Sequence, residues 1–127
     1  MHSFPISVYY EDTDMAGIVY HANYLKFIER ARSDWVAAMG VDQNAMRDAG
    51  QVFVVRRIEA DYLGSAQFQD DLEVRTLTKT VTGARLILDQ QVWRGQDLLF
   101  QAEVTVVCAT TDGQPTRLPP ELRQKLH

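Results

Sequence analysis

The chain has 127 residues, of which 46% are hydrophobic and 24% charged, and its formal net charge is −4. This length fits one domain with one core, and the acidic balance argues against a nucleic-acid-binding protein, which normally presents a basic face. The first residues lack the basic stretch and apolar core of a signal peptide, and no apolar run is long enough to span a bilayer. We therefore expect a cytoplasmic protein that does not insert into a membrane.

The cysteine and histidine content argues against a disulfide framework and against a metal site. Cys108 is the single cysteine, so it cannot form an internal disulfide, and its apolar neighbours predict a buried thiol. The three histidines are His2, His21 and His127, and none has a cysteine or histidine partner at ligand spacing. We expect neither a metal ion nor a resident cofactor.

The first predicted element is a short strand over residues 4–10, which contain β-branched and aromatic residues after an early Pro5. Residues 11–17 are predicted to form a loop, because Asp12, Asp14 and Gly17 favour turns. The loop leads directly into the strongest helical pattern of the chain.

That helix is predicted to begin at about Ala22 and to end at Gly40. Its apolar residues recur at helical spacing and form one stripe that should face the core. The members of this stripe are Tyr24, Phe27, Ile28, Ala31, Trp35 and Ala38. After it, Asp42 is a possible cap for a single helical turn around residues 43–47.

Four later segments alternate apolar and polar residues in the manner of β-strands: residues 52–62, 72–81, 84–94 and 98–110. Arg56 interrupts the apolar side of the first segment, and Thr82-Gly83 is typical of a hairpin turn. Pro115 is predicted to end the sheet before a last short helix over residues 121–126. One helix followed by antiparallel strands indicates an α+β fold.

The chemistry of the 11–17 loop depends on its place before the helix. A helix N-terminus carries unpaired backbone N–H groups that can hold an oxyanion, and the amides near Tyr20, His21 and Ala22 are candidates. Asp14 lies seven residues before His21, and a carboxylate close to such amides supplies two parts needed for attack on an acyl group. On spacing alone, a role for Asp12 or Asp14 only as a cap for the turn or the helix is favoured, because aspartate is common at such junctions.

The run DTDMAGIVYH, residues 12–21, followed by Asn23-Tyr24 and by ERAR at residues 29–32, resembles the signature of hotdog-fold acyl-CoA thioesterases. These proteins belong to the 4-hydroxybenzoyl-CoA thioesterase family, and the resemblance is closer to the bacterial branch associated with the Tol-Pal envelope system. It covers nearly the whole chain. It implies one domain over residues 1–127, with an antiparallel sheet wrapped around one long central helix. It also implies a homodimer whose sheets join edge to edge, with active sites at the subunit interface and tetramers common.

The same resemblance implies roles for individual residues. Asp14 matches the catalytic carboxylate, which acts as a nucleophile or as a general base for water. His21 matches the helix-start position whose backbone N–H polarises the thioester carbonyl, with the Tyr20 amide beside it. The His21 imidazole and the Tyr10 side chain match groups that are also assigned to the site.

Coenzyme A would be part of the substrate, and its phosphates need cationic partners. The candidates are Arg56, Arg57, Lys79 and Arg85, although any of them could simply belong to a solvated strand face. An acyl carrier protein could replace coenzyme A as the thioester carrier. The resemblance leaves open a non-catalytic acyl-carrier or envelope-associated binding module. A hotdog dehydratase is less favoured, because the predicted helix interior offers Glu29 and Asp34 but no histidine.

Overall fold

The computed structural model describes residues 1–126, and His127 lies outside the described residues. It shows an antiparallel sheet wrapped around one long helix. The elements in chain order are β1 His2–Ser7, a 3₁₀ turn Tyr10–Asp12, α1 Asn23–Ala38, α2 Gln43–Asp48, β2 Gln51–Tyr62, β3 Asp71–Val81, β4 Arg85–Arg94, β5 Asp97–Thr110, β6 Pro115–Thr116 and α3 Pro120–Leu126. The predicted α+β class is confirmed.

Within residues 1–126 the sheet has six strands, ordered β1-β3-β4-β5-β2, with β6 paired to β5 and every pairing antiparallel. Successive side chains of a strand point to opposite faces, and the inner face carries the buried residues. On β4 these are Leu86, Leu88, Gln90 and Val92. Helix α1 packs on this inner face, in contact with β1, β3 and β4.

The apolar stripe of α1 is confirmed except at its end. Phe27, Ile28 and Ala31 are completely buried, and burying a large apolar side chain contributes about 1.5–3 kcal/mol. Ala38, which the pattern placed in the stripe, is exposed, and Val36 is buried in its place. The chain reverses just after the helix, where the Val41 N–H donates to the Val36 carbonyl at 3.3 Å and Val41 is itself buried.

A buried polar network ties the middle of α1 to the sheet. The side-chain amide of Gln90 on β4 donates to the Ile28 carbonyl at 2.9 Å and to the Thr76 hydroxyl at 3.0 Å. In return, its oxygen accepts a hydrogen bond from Arg32 at 2.8 Å. Gln90 is completely buried, and the two donors of its amide group both have partners, as a buried polar group requires. These directional contacts fix the position of the helix on the sheet.

Strand β2 forms one edge of the sheet, and its other side has no partner strand among the described residues. Val54, Val55, Ile58 and Tyr62 on this strand are all exposed. The register with β5 shifts at Arg56, which is the residue that interrupts the predicted alternation. An edge strand with large exposed apolar residues favours pairing with another chain.

Two predicted boundaries are wrong. The first strand ends at Ser7 and does not reach Tyr10, because the Asp12 carboxylate accepts the Tyr9 N–H and closes a 3₁₀ turn there. Pro115 does not end the sheet, since it begins β6, which pairs with Cys108 and Ala109 of β5. The helical turn after Asp42 is present, with the Asp42 carboxylate accepting two backbone N–H groups.

Candidate active site

Asp14 lies in a tight turn that folds the chain back towards the start of α1. The Asp14 N–H donates to the Ile18 carbonyl at 2.9 Å, and the Gly17 N–H donates to the Asp14 carbonyl at 3.0 Å. Gly17 has φ of +80°, a left-handed conformation that glycine adopts without steric cost. Oδ1 of Asp14 accepts the Ala16 N–H at 2.9 Å. Among residues 1–126 no group donates to Oδ2, so this oxygen of an exposed carboxylate is available to a ligand.

Asp12 has a different environment, because it is only 3% exposed. One carboxylate oxygen accepts the Tyr9 N–H and the other accepts the Asn23 side-chain amide, both at 2.9 Å. Its backbone carbonyl accepts the Tyr20 N–H at 2.8 Å. Asp12 therefore fastens the loop to the first turn of α1. Asp12 therefore caps the 3₁₀ turn, Asp14 accepts the Ala16 N–H within its own turn, and neither carboxylate caps α1.

The start of α1 presents backbone N–H groups that are not used by the fold. Ala22 is the N-cap residue, and its side chain makes no capping hydrogen bond. In the part of the chain that the structure describes, no oxygen accepts the N–H of His21 or Ala22. The Tyr20 amide, by contrast, is occupied by the Asp12 carbonyl. The amides of His21 and Ala22 are therefore free to bind an oxyanion.

The His21 side chain is exposed and held by aromatic contacts. Its ring centroid lies 4.7 Å from that of Tyr20 and 6.2 Å from that of Tyr62. The Tyr62 hydroxyl donates to the His21 backbone carbonyl at 2.9 Å. No sequence pattern predicted this contact, since Tyr62 lies 41 residues further along the chain.

A groove of about 400 Å³ opens beside these residues. Its lining includes His21 and Tyr62 together with Ile18, Leu63 and Ser65. Its walls therefore combine apolar side chains with His21, Tyr62 and Ser65, as expected for a site that binds an acyl group beside polar chemistry.

Tyr10 begins the 3₁₀ turn that precedes the Asp14 turn. Its ring packs edge-on against Phe68, with centroids 6.1 Å apart, and the side chain is 79% exposed. In residues 1–126 its hydroxyl makes no hydrogen bond to Asp14 or His21. Asp14 and His21 both lie in the segment that leads into α1, and the Tyr10 side chain faces solvent.

The four candidates for coenzyme A phosphates divide into two pairs. Arg57 forms an ion pair with Glu59, and Lys79 binds Glu103 at 2.6 Å. The Glu103 carboxylate raises the pKa of Lys79, and Lys79 in turn lowers the pKa of Glu103. These two cations are thus already paired with carboxylates.

Arg56 and Arg85, the other two candidates, line a cleft of about 610 Å³ on the outer face of the sheet. The cleft has Val54 and Val107 in its walls and lies beside the hairpin that joins β5 to β6. Among residues 1–126 neither arginine has a carboxylate partner. The cleft therefore combines apolar walls with two unpaired positive charges.

Other kinds of site find no support in the described residues. Residues 1–126 contain no group of three or more histidine, cysteine, aspartate or glutamate side chains placed to hold a metal ion. No helix in the same range is long and apolar enough to cross a membrane. Burial raises the pKa of the Cys108 thiol, so this cysteine is a poor nucleophile.

A sheet wrapped around one helix, with a carboxylate turn packed at the start of that helix, defines a hotdog-fold protein of the thioesterase class. The chain belongs to the thioesterase-like superfamily, whose family model matches residues 8–126. The predicted fold and family are confirmed.

Proteins with assigned activities are similar over almost their full length. Acyl-CoA thioesterase YbgC of Haemophilus influenzae is 38% identical over 98% of this chain and 93% of its own length. Acyl-CoA thioester hydrolase YbgC of Escherichia coli O6:H1 is 37% identical over 96% of this chain and 89% of its own. Both relatives are named as enzymes that act on acyl-CoA thioesters, and the predicted enzyme class, a thioester hydrolase, is confirmed.

Solved structures agree with the fold. A probable thioesterase from Bartonella henselae superposes with a TM-score of 0.89 and is 34% identical, covering 93% of this chain and 98% of its own. A gentisyl-coenzyme A thioesterase superposes with a TM-score of 0.89 at 21% identity, covering 95% of this chain and 98% of its own. The second similarity supports the fold alone.

Proposed function

We propose that the protein hydrolyses acyl-CoA to a free carboxylic acid and coenzyme A between the Asp14 turn and the first turn of α1. One observation carries this assignment: a carboxylate oxygen without a partner lies in the turn that precedes two helix-start amides without acceptors. A nucleophile or base and an oxyanion-binding site are the parts that acyl transfer needs.

Asp14 acts on the thioester in one of two ways. As a nucleophile, its carboxylate bonds to the carbonyl carbon, the C–S bond breaks, and the departing coenzyme A thiolate takes up a proton. Water then hydrolyses the resulting anhydride. As a general base, Asp14 takes a proton from water while the water oxygen bonds to the carbonyl carbon, and the proton passes to the leaving sulfur. In both routes the amides of His21 and Ala22 stabilise the negative carbonyl oxygen.

The His21 imidazole and the Tyr10 hydroxyl are proposed to orient the substrate or to supply the proton to the leaving sulfur. The exposure of both side chains and the position of His21 on the groove support this role. Because His21 lines the groove and Tyr10 does not, a smaller effect is expected from Tyr10→Phe than from His21→Ala.

The assignment is tested by comparing Asp14→Asn with the wild-type protein on a panel of short, long and aromatic acyl-CoA thioesters. We expect kcat to fall by about 10²–10⁴-fold, which is the usual contribution of a positioned acid or base. Asp48→Asn makes the same change at an exposed position on α2 and should leave kcat unchanged. A folded Asp14→Asn variant that keeps wild-type turnover would disprove the assignment.

We infer that two copies pair through their β2 strands, which joins two sheets edge to edge. The unpaired backbone of β2 and its exposed Val55 and Ile58 support this arrangement. Ile58→Asp should shift the dimer towards monomer in sedimentation-velocity measurements, whereas Thr80→Asp, at an exposed position on β3, should not. A dimer that is unaffected by Ile58→Asp would contradict the β2 interface. Further assembly to a tetramer stays a prediction.

A two-fold axis across paired β2 strands makes them antiparallel, so the start of one strand lies beside the end of the other. We propose that the cleft with Arg56 and Arg85 binds coenzyme A phosphates in such a dimer. Within one chain, Arg56 and Tyr62 are six residues apart along β2, about 20 Å in an extended strand.

The phosphate assignment has its own test. Arg56→Gln and Arg85→Gln should each raise KM for acyl-CoA and leave kcat nearly unchanged, because they remove binding energy that is equal in the ground and transition states. Arg57→Gln is the matched control, since Arg57 is already paired with Glu59. Equal KM values for all three variants and the wild type would reject the cleft. Use of an acyl carrier protein as thioester carrier and a cytoplasmic location stay predictions.

A further inference from the structure

The peptide group that joins His21 to Ala22 is held from its carbonyl side by a residue outside the loop. The Tyr62 hydroxyl donates to the His21 carbonyl at 2.9 Å. The N–H of the same peptide group belongs to Ala22, and in residues 1–126 it donates to no acceptor. One end of this peptide is thus fixed by the protein while the other end is available.

A trans peptide group is planar, with its C=O and N–H bonds pointing in opposite directions. A hydrogen bond that fixes the carbonyl direction therefore also fixes the direction of the N–H. It adds a second effect, because a hydrogen bond accepted by the carbonyl polarises the peptide and strengthens the N–H as a donor. Tyr62 can act in both ways on the Ala22 amide.

The Tyr62 ring is itself held in place. It packs edge-on against Tyr24 and Phe100, with centroids 5.7 Å and 5.1 Å away, and both neighbours are buried. The hydroxyl end is exposed enough to reach the His21 carbonyl, since the residue as a whole is 49% exposed. A tyrosine with a fixed ring and a free hydroxyl is suited to hold a backbone group in one orientation.

We propose that Tyr62 is a positioning residue of the thioesterase site, whose hydroxyl orients the His21–Ala22 peptide so that the Ala22 N–H faces the developing oxyanion. This inference rests on the proposed oxyanion role of the helix-start amides. Tyr62 acts through the peptide and makes no bond to the reacting atoms. Because Tyr62 is near the end of the edge strand β2, it also connects the site to the edge at which the second copy is proposed to pair.

Tyr62→Phe removes the hydroxyl and keeps the ring contacts with Tyr24 and Phe100. Loss of one neutral hydrogen bond typically changes an equilibrium or a rate by about 3- to 10-fold. We expect kcat to fall by that factor with little change in KM, because the orientation of the amide matters most in the transition state. The matched control is Val74→Ala, which loosens the buried core on β3 and should lower the melting temperature without lowering kcat.

A second readout does not depend on turnover. The ¹⁵N chemical shift of an amide responds to hydrogen bonding at the preceding carbonyl, so the Ala22 resonance should move in Tyr62→Phe and stay in place in Val74→Ala. An unchanged Ala22 resonance, or wild-type kcat in Tyr62→Phe, overturns the proposal. So does an equal loss of kcat in Val74→Ala. If Asp14→Asn retains turnover, the proposed site fails instead, and the Ala22 resonance still reports whether Tyr62 holds the peptide.

Discussion

Replacing Asp12 by asparagine tests the link between the loop and the helix start. In the native protein both carboxylate oxygens of Asp12 accept hydrogen bonds at 2.9 Å, one from the Tyr9 N–H and one from the Asn23 amide. Asparagine offers one acceptor and one NH₂ group, so one donor faces another donor unless the Asn23 amide turns over, and in either case the charged acceptor is lost. Asp12 and Asn23 are both buried, so water cannot easily replace the lost contact.

The expected cost follows from these contacts. A hydrogen bond to a charged group contributes about 1.5–3 kcal/mol, and the remaining bond becomes neutral and weaker. We expect Asp12→Asn to lower the free energy of unfolding by about 2–4 kcal/mol, which corresponds to a melting temperature lower by about 10 °C for a chain of this size. Urea unfolding followed by circular dichroism measures the first quantity, and calorimetry measures the second.

The exchange of both residues gives the decisive comparison. In Asp12→Asn combined with Asn23→Asp, the new amide can donate to the new carboxylate while its oxygen still accepts the Tyr9 N–H. The double variant should therefore be more stable than the sum of the two single effects by at least about 1 kcal/mol. If the stability change of the double variant equals the sum of the two single changes, the Asp12–Asn23 contact does not stabilise the loop and the reasoning is refuted.

Three further outcomes follow from local features. Gly17→Ala should lower the free energy of unfolding in urea by about 1–2 kcal/mol, because alanine must adopt the left-handed backbone that Gly17 has at φ +80°. Unchanged stability would show that the turn relaxes to another conformation. Cys108 should resist thiol reagents in the folded protein, since burial raises the pKa of its thiol, and its labelling rate should rise only as urea unfolds the chain; rapid labelling of the native protein would contradict this. Hydrogen bonds from Ser3 and Arg75 lower the pKa of Glu73 in the folded protein. The ionised Glu73 carboxylate therefore stabilises the fold above the unfolded pKa of about 4.3. This stabilisation is lost as the pH falls through the lower pKa of the folded state. Glu73→Gln should therefore make the melting temperature depend less on pH at acid pH. An unchanged dependence would contradict a stabilising role of the Glu73 carboxylate.

The sequence predicted the elements that depend on local periodicity. The stripe of Tyr24, Phe27 and Ile28 on α1 and the alternation of β4 each repeat at the spacing of their own element, so one segment suffices to recognise them. The fold name, the dimer and the residue roles came from the resemblance and not from periodicity. Arg56 marked the bulge of β2 as an interruption, although the pattern alone did not show that the strand lies at an edge.

The contacts that build the site join distant parts of the chain and could not be read from spacing. Asp12 and Asp14 are both turn formers two residues apart. What distinguishes them is that Asp12 meets Asn23, eleven residues away, and turns inward. Tyr62 reaches His21 only because β2 ends beside the start of α1. The predicted end of the first strand at Tyr10 was wrong for the same reason. The Asp12 side chain, which lies beyond the predicted strand, closes the 3₁₀ turn that ends the strand early.

The Gln90 network has a consequence for how enzymes of this shape can diversify. Apolar contacts between a helix and a sheet resist separation but are nearly indifferent to small rotations of the helix, whereas the bonds from Gln90 to the Ile28 carbonyl and the Thr76 hydroxyl are directional. They hold the rotation and the axial position of the middle of α1, whereas Tyr62 of the groove is proposed to hold the peptide at its start. Substitutions in the apolar lining can therefore change which acyl group is accepted while the first turn of α1 stays where it is. Substrate range and catalytic geometry are in this sense separable traits, open to selection one at a time.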